Sequence, residues 1–272
     1  MLTLLLGFLG FLILSAVGLV WPGREHWAWI SLLGLVGFIG TVVPLNLWIK
    51  KKMEAVFARM QKVLLDSRDQ LYRNMNQMQK GFSGSPKAIQ ALLEKKQGAS
   101  IQEALAVLDD IRPLQKWNLL AERQANTVRA QLYFQLKDFA NADRYLKKCF
   151  ILDPFTTAIR LVRLYETNTA PAKLDKAFTK ALARFKKSKD APILYALYSW
   201  ILVKKDRVQE AMELLSTAKD TTGNEFLKAN WEHLANGRVR QFSNSGFAET
   251  WYALHLETPK MKQERRQQPM YR

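Results

Sequence analysis

The chain has 272 residues, of which 48% are hydrophobic and 24% are charged, a composition typical of folded proteins. Its formal net charge is +17, and residues 1–49 contribute one cation and one anion, so the excess lies wholly in residues 50–272. Cys149 is the only cysteine and the three histidines are scattered, which excludes an intramolecular disulfide framework and leaves little for a zinc site. These numbers predict a membrane piece joined to a basic soluble piece.

Two uncharged stretches near the N-terminus are each long enough to cross a membrane. Residues 2–21 would form roughly 30 Å of helix, the thickness of the hydrocarbon core of a bilayer. Residues 27–49 form a second such stretch, with indole side chains near its ends at Trp27, Trp29 and Trp48. We predict that residues 1–49 are a two-helix transmembrane anchor joined by a tight link at 22–26. A cleaved signal peptide is disfavoured, because the N-terminus is uncharged and a second span follows at once.

The distribution of charge orients this anchor. Lys50, Lys51 and Lys52 directly follow the second span, whereas Arg24 is the one Lys or Arg in the link. The positive-inside bias therefore predicts that both termini and the soluble part are cytoplasmic. The short N-terminus favours a bacterial inner membrane over an organelle membrane. Small residues on both spans would let the helices approach closely, at glycines 7, 10, 18, 34, 37 and 40.

Residues 50–80 contain no proline or glycine and are predicted to form a connector helix about 45 Å long. Apolar side chains recur along it with a seven-residue period on two adjoining seams: Phe57, Leu64, Leu71 and Met78, and Met53 and Met60. Ser67 and Asn74 interrupt these seams, so a coiled coil is only partly supported. Packing on the next domain is favoured, and self-association into a homo-oligomer or contact with anionic lipid stays open. Residues 81–86 then form a linker.

A repeat of about 34 residues follows the linker. Its best copy is 123–156, where small and large apolar residues occupy fixed places: Ala130, Tyr133, Phe139, Ala142, Leu146, Cys149 and Pro154. Weaker copies begin at Ala158 and Pro192, and a divergent copy would pair a helix at 87–96 with one that ends near Ile111. Further helices are predicted after Asn224 and, as a cap, at 245–256. Alanines recur at 104, 142, 177 and 211, which predicts stacked helix pairs because close helix contact requires small side chains.

The sequence KDFANADRYLKKCFILDP, residues 137–154, closely resembles the second helix of a tetratricopeptide repeat. The chain departs from the family at Asn126 and Arg129, where Trp and Leu are usual. The resemblance implies an all-α fold, with an α-solenoid of helix pairs over 87–258 and a basic tail at 259–272. The whole plan is similar to bacterial inner-membrane proteins of the HemY kind and, more loosely, to the LapB assembly proteins. The link between the spans is shorter than in the former, and the four-cysteine metal module of the latter is missing.

In tetratricopeptide arrays the first helices line a groove that holds an extended peptide or a partner helix. The resemblance therefore implies a protein partner in a groove formed by Gln124, Thr127, Gln131, Gln135, Val162, Glu166, Ala196, Trp200 and Lys204. Arrays that clamp a terminal carboxylate use paired Lys and Asn, and Thr127 and Gln131 stand in their place, which disfavours chaperone-tail binding. The alternative to partner binding is that each of these side chains is simply solvated or packs within the protein.

A run of cations forms a predicted basic face at Lys173, Lys176, Lys180, Arg184 and Lys187. Its first four members are spaced by three or four residues and so share one side of a helix. Such a face is commonly just solvated. Beside a cytoplasmic leaflet, however, each cation would be attracted to anionic lipid by about 1 kcal/mol. Nucleic-acid binding would use the same charge and is disfavoured, because neither an RNP motif nor a recognition-helix signature is present.

No catalytic constellation stands out in the sequence. Glu103, Asp109 and Asp110 lie on a predicted repeat helix without a Gly-rich phosphate loop or metal spacing, and Cys149 fits a core position. We therefore predict no enzyme activity, no cofactor and no metal site. The favoured function is a membrane-anchored scaffold or adaptor that binds a protein partner and organises a membrane complex. The alternative is a membrane-surface or nucleic-acid-binding protein that acts through its cationic helix face.

Overall fold

The structure is a computed structural model that describes residues 2–20, 27–81, 86–151 and 153–258. The regular elements of these residues are all helical, which confirms the all-α fold class. The α-helices are α1 Leu2–Val20, α2 Trp27–Gly81, α3 Pro86–Leu108, α4 Arg112–Gln115, α5 Leu119–Gln135, α6 Phe139–Leu146, α7 Pro154–Glu166, α8 Pro171–Phe185, α9 Pro192–Lys204, α10 Val208–Thr222, α11 Glu225–Ala235 and α12 Ala248–Tyr252. The predicted link 22–26, most of the linker 81–86 and the basic tail 259–272 lie outside the described residues.

The chain divides into two compact units, Met1–Phe150 and Ile151–Arg272. In the first unit, α1 packs along the N-terminal part of α2, and both are long and apolar enough to cross a membrane. Only 17% and 11% of their most apolar windows are buried within the protein, so most of this apolar surface faces outward. That distribution fits helices whose solvent is lipid better than the core helices of a soluble domain.

Glycines bring the two spans together, as predicted. A methyl group on Gly10 would place its carbon 2.9 Å from the carbonyl oxygen of Gly37, too close for any residue with a side chain. On Gly7 the same group would lie 2.9 Å from the Phe38 ring. Gly40 is different, because nothing lies within 4 Å of the position its side chain would take. The prediction that Gly40 contributes to the contact is therefore wrong.

The second span and the connector form one continuous helix, α2, with Pro44 in its interior. Three connector side chains, Met53, Val56 and Met60, are buried. They belong to one apolar cluster with residues of the elements that follow: Ile101, Ala104, Leu108, Ile111, Leu114, Ala121, Ala125 and Leu132. Packing on the next part of the chain, the favoured role for the connector, is thus confirmed.

The predicted helix pair between residues 87 and 111 is wrong. Helix α3 runs unbroken from Pro86 to Leu108, so residues 87–96 do not form a separate first helix. Gly98 is tolerated inside it at a cost of about 1 kcal/mol. The physical reason is that α2 already covers the apolar face of α3, so a second helix is not needed to bury it.

The best predicted repeat copy is a helix pair, α5 and α6. Its turn passes through Lys137, whose φ of 59° lies in the left-handed region. Ala130 and Ala142 are fully buried, and the Tyr133 and Tyr145 rings stack 5.4 Å apart. Cys149 is only half-buried, less than predicted, because α6 ends before it at Leu146.

In the second unit, α7 contacts α8 and α9, and α10 contacts α9 and α11. Asp153 caps α7 by accepting a hydrogen bond from the Thr156 backbone N–H at 2.7 Å. Ala211 is fully buried as predicted, but Ala177 is only half-buried and Ala181 takes the buried place in α8. The predicted cap at 245–256 contains only the short helix α12, preceded by a turn of 3-10 helix.

Candidate functional site

Helix α5 carries four of the predicted groove residues, and two of them are exposed. Gln124 and Gln135 are exposed, and Gln131 is half-buried. Thr127 has a structural role, because its hydroxyl accepts a hydrogen bond from the Phe150 backbone N–H at 3.2 Å. The three glutamines and the half-exposed Leu120 lie on one side of α5, which we call the α5 stripe: Leu120, Gln124, Gln131 and Gln135.

The two departures from the repeat pattern on α5 form a buried polar contact. The Arg129 side chain is 7% exposed and donates hydrogen bonds to Asn126 Oδ1, at 3.3 Å, and to the Leu108 carbonyl, at 3.2 Å. It also pairs with Asp109 at 3.1 Å. Arg129 therefore fastens α5 to the end of α3, a role that the sequence pattern alone does not reveal.

In the second unit, three predicted groove residues are buried. Val162 and Ala196 are fully buried, and Trp200 is 8% exposed. Glu166 and Lys204 are exposed; Glu166 pairs with Arg163, and the Lys204 ammonium lies 5.3 Å from the centre of the Trp200 ring. Of these five positions, a partner could therefore reach only the last two without rearrangement.

The chain's own C-terminal segment, residues 244–258, covers Trp200. The Trp200 ring meets Tyr165 and Trp251 edge to face, with centroid distances of 5.9 and 6.0 Å. The Glu257 carboxylate accepts a hydrogen bond from the indole N–H of Trp200 at 2.7 Å and another from that of Trp251 at 2.8 Å. One acidic side chain thus satisfies two buried donors.

Two buried asparagines hold the start of this C-terminal segment. Asn244 donates a hydrogen bond to the Ala196 carbonyl at 2.8 Å and accepts one from Asn230 at 2.9 Å. Asn230 in turn accepts a bond from the Ser243 backbone N–H at 3.0 Å. Sequence reasoning missed Asn244, Trp251 and Glu257, because an irregular segment has no periodicity from which its partners could be read.

The five predicted cations of α8 and its C-terminal turn are all exposed: Lys173, Lys176, Lys180, Arg184 and Lys187. The opposite side of α8 is buried through Leu174, Phe178, Ala181 and Phe185. Within the described residues, none of the five cations forms an ion pair. The structure therefore brings them together on one open surface, which we call the α8 basic face.

The single acidic residue of α8, Asp175, is turned away from these cations. It accepts hydrogen bonds from Arg207 Nη1 and from the Tyr198 hydroxyl, both at 3.0 Å, and Arg207 also binds Glu210. Burial alone would raise the pKa of Asp175, but the bonds from Arg207 and Tyr198 outweigh it and hold the pKa below its ordinary value. Burial and the bond to Asp175 raise the pKa of Tyr198 to about 12.

Fold and surfaces together define an all-helical protein with two N-terminal helices long and apolar enough to cross a membrane. Groups of three or more His, Cys, Asp or Glu side chains that could hold a metal ion are absent from the described residues. Searches of protein-family models, curated proteins and solved structures found no match to the chain.

Proposed function

We propose that the protein is a membrane-anchored scaffold or adaptor of the tetratricopeptide type, with a layout like that of bacterial HemY proteins. Helices α1 and α2 anchor it, and the pairs α5–α6, α7–α8 and α9–α10 belong to an α-solenoid that binds a protein partner. The observation that carries the proposal is the construction of the pair α5–α6, a helical hairpin in which the small residues Ala130 and Ala142 are fully buried. The proposal assigns the chain no catalytic activity and no cofactor.

Contacts at the start of α1 support a hairpin anchor with both ends on one side. The Leu2 backbone N–H donates to the Lys116 carbonyl at 3.1 Å, and the Thr3 hydroxyl donates to the Trp117 carbonyl at 2.6 Å. The N-terminal end of α1 therefore contacts the turn between α4 and α5. The lysines at 50–52 favour the cytoplasmic side of a bacterial inner membrane.

The α5 stripe is the surface that best suits a partner. The exposed amide side chains of Gln124 and Gln135 can both donate and accept hydrogen bonds, so they can bind the backbone of an extended peptide, and Leu120 adds an apolar contact. The Trp200 surface of α9 would become available only if the C-terminal segment left it. The partner is therefore expected to be a polypeptide that binds mainly through polar contacts.

Site-specific photocrosslinking in native membranes tests the proposal. A photoreactive residue placed at Gln124 or at Gln135 should attach the same polypeptide, and one placed at Lys147, directly after α6, should not. Lys147 is a matched control because it is also exposed and lies in the same unit. A further variant, Gln131→Arg, should abolish the adduct. Recovery of lipid alone, or of the same proteins from all three positions, would overturn the proposal.

A further inference from the structure

The α8 basic face concentrates positive charge, and none of its five cations forms an ion pair with a described residue. Residues 171–189 contain seven cations and one anion, Asp175. Because Arg207 and Tyr198 bind that anion on the other side of α8, it does not pair with the lysines next to it in sequence. Like charges held on one helix face repel each other, and a polyanionic surface would relieve that repulsion.

We infer that the α8 basic face binds the anionic surface of the bilayer that holds α1 and α2. The inference rests on the membrane anchorage in the proposed function and is independent of the protein partner. Clusters of four to eight Lys and Arg on an amphipathic helix suit anionic headgroups, which attract each cation separately. The anchor also confines the second unit to the neighbourhood of one membrane, so its effective concentration there is on the order of millimolar.

The aromatic residues of this region favour lipid over nucleic acid. Single-stranded nucleic acids are held by bases stacked on exposed aromatic rings between the cations. On α8 the aromatic residues, Phe178 and Phe185, are buried, and Phe178 stacks on Tyr198 with a centroid distance of 4.1 Å. The face therefore offers charge without stacking surfaces, as a contact with headgroups requires.

The same burial predicts a peripheral contact without insertion. An amphipathic helix that inserts in a membrane lays its apolar side among the acyl chains. The apolar side of α8 is already used inside the second unit, where Leu174 and Phe178 are no more than 1% exposed. The contact must therefore be electrostatic and should weaken as the salt concentration rises.

Lysine acetylation, read by mass spectrometry, tests the inference on the full chain. The protein is placed in nanodiscs of phosphatidylcholine alone or of phosphatidylcholine mixed with phosphatidylglycerol. We expect Lys173, Lys176 and Lys180 to react roughly fivefold more slowly, or slower still, in the anionic discs, and high salt to restore their rates. Lys228, exposed in the same unit, should react equally in both.

Two variants with the same charge loss make the test specific. Replacing Lys173, Lys176, Lys180 and Arg184 by glutamine should remove the lipid-dependent protection of Lys187. A control in which Arg160, Lys228, Arg238 and Arg240, all exposed in the same unit, become glutamine should retain it. Circular dichroism checks that both variants keep the helical content of the parent chain.

The outcomes that contradict the inference can be told apart from failure of the proposed function. Equal rates in the two lipids, or equal slowing at Lys228, would overturn the inference and leave the proposed function intact. Protection by added RNA in discs without anionic lipid would replace lipid by nucleic acid as the ligand. Failure of the chain to enter discs of either kind would overturn the membrane anchorage, and with it both proposals.

Discussion

The Glu257 carboxylate accepts hydrogen bonds from two indole groups that the fold has removed from water. Trp251 is fully buried and Trp200 nearly so, and an indole N–H can only donate. A carboxylate is the smallest side-chain group that offers an acceptor oxygen to each of two donors. The position of the C-terminal segment on α9 therefore depends on this one charge as well as on apolar burial.

Replacing Glu257 by Gln should destabilise the second unit by about 1–3 kcal/mol. Glutamine keeps the shape of glutamate but has one acceptor oxygen, so one indole N–H loses its partner. Urea unfolding followed by circular dichroism measures the change. The control is Glu249→Gln, an exposed position in the same segment, which should change stability by less than about 0.5 kcal/mol. Equal effects of the two substitutions would contradict the role given to Glu257.

Ala248 adopts a backbone conformation that suits glycine. Its φ is 46° and its ψ is −125°, a region that residues with a Cβ avoid at a cost of about 1–3 kcal/mol. We expect Ala248→Gly to raise the unfolding midpoint, because relief of strain exceeds the added chain entropy of glycine. Ala253→Gly is the matched control: its φ of −65° is ordinary, so glycine there should lower the midpoint. The same direction of change in both variants would show that Ala248 is not strained.

Among the elements, α2 shows how one helix can serve two environments. Its N-terminal part exposes apolar side chains, whereas Met53, Val56 and Met60 in its middle are buried against other parts of the protein. The change begins at Ile49, which is fully buried in the same apolar cluster, and three lysines in succession then end the uncharged stretch. The methionines suit this place because their flexible side chains fill irregular gaps.

Met60→Ala should destabilise the first unit by about 2–5 kcal/mol, since it leaves a cavity in the apolar cluster. Leu65→Ala, five residues further along α2 at a side chain 57% exposed, should have little effect. Thermal unfolding in detergent, followed by circular dichroism, compares the two. If Met60→Ala left the midpoint of thermal unfolding unchanged and instead dissociated an oligomer, Met53 and Met60 would serve self-association and not packing within the chain.

The sequence predicted an element correctly where residues close together in the chain determine it, and incorrectly where distant residues do. The pair α5–α6 was predictable because Asp138 caps the second helix and alanines mark the contact between the two. Helix α3 was not, because its continuity through Gly98 depends on cover from the distant residues of α2. The repeat pattern likewise predicted that Trp200 lines a groove, because the pattern does not reveal the contact that distant residues 244–258 make with this side chain. The α8 basic face was predictable, but the pairing of Asp175 with Arg207, 32 residues away, was not.

At the scale of the whole molecule, apolar and cationic surfaces are segregated along the chain. Residues 1–49 contain one cation and one anion, so the whole net charge of +17 comes from residues 50–272. The proposed anchorage follows from this segregation, because it would take the two apolar N-terminal helices out of water while the charged residues stay solvated. Both proposed contacts, the α5 stripe with a polypeptide and the α8 basic face with lipid, require that the soluble part and the excess of cations lie on one side of the membrane.

Cysteine labelling in a bacterial host tests that topology. In a Cys149→Ser background, a membrane-impermeant maleimide added to intact cells should label Gly23→Cys in the link and leave Lys62→Cys on α2 unlabelled until the cells are opened. We expect this result because Lys50, Lys51 and Lys52 would retain the second end of the hairpin in the cytoplasm, whereas Arg24 alone would be too weak to retain the link. Labelling of Lys62→Cys from outside would place the soluble part on the other side. Labelling of both positions only after lysis would show that the hairpin does not cross the membrane.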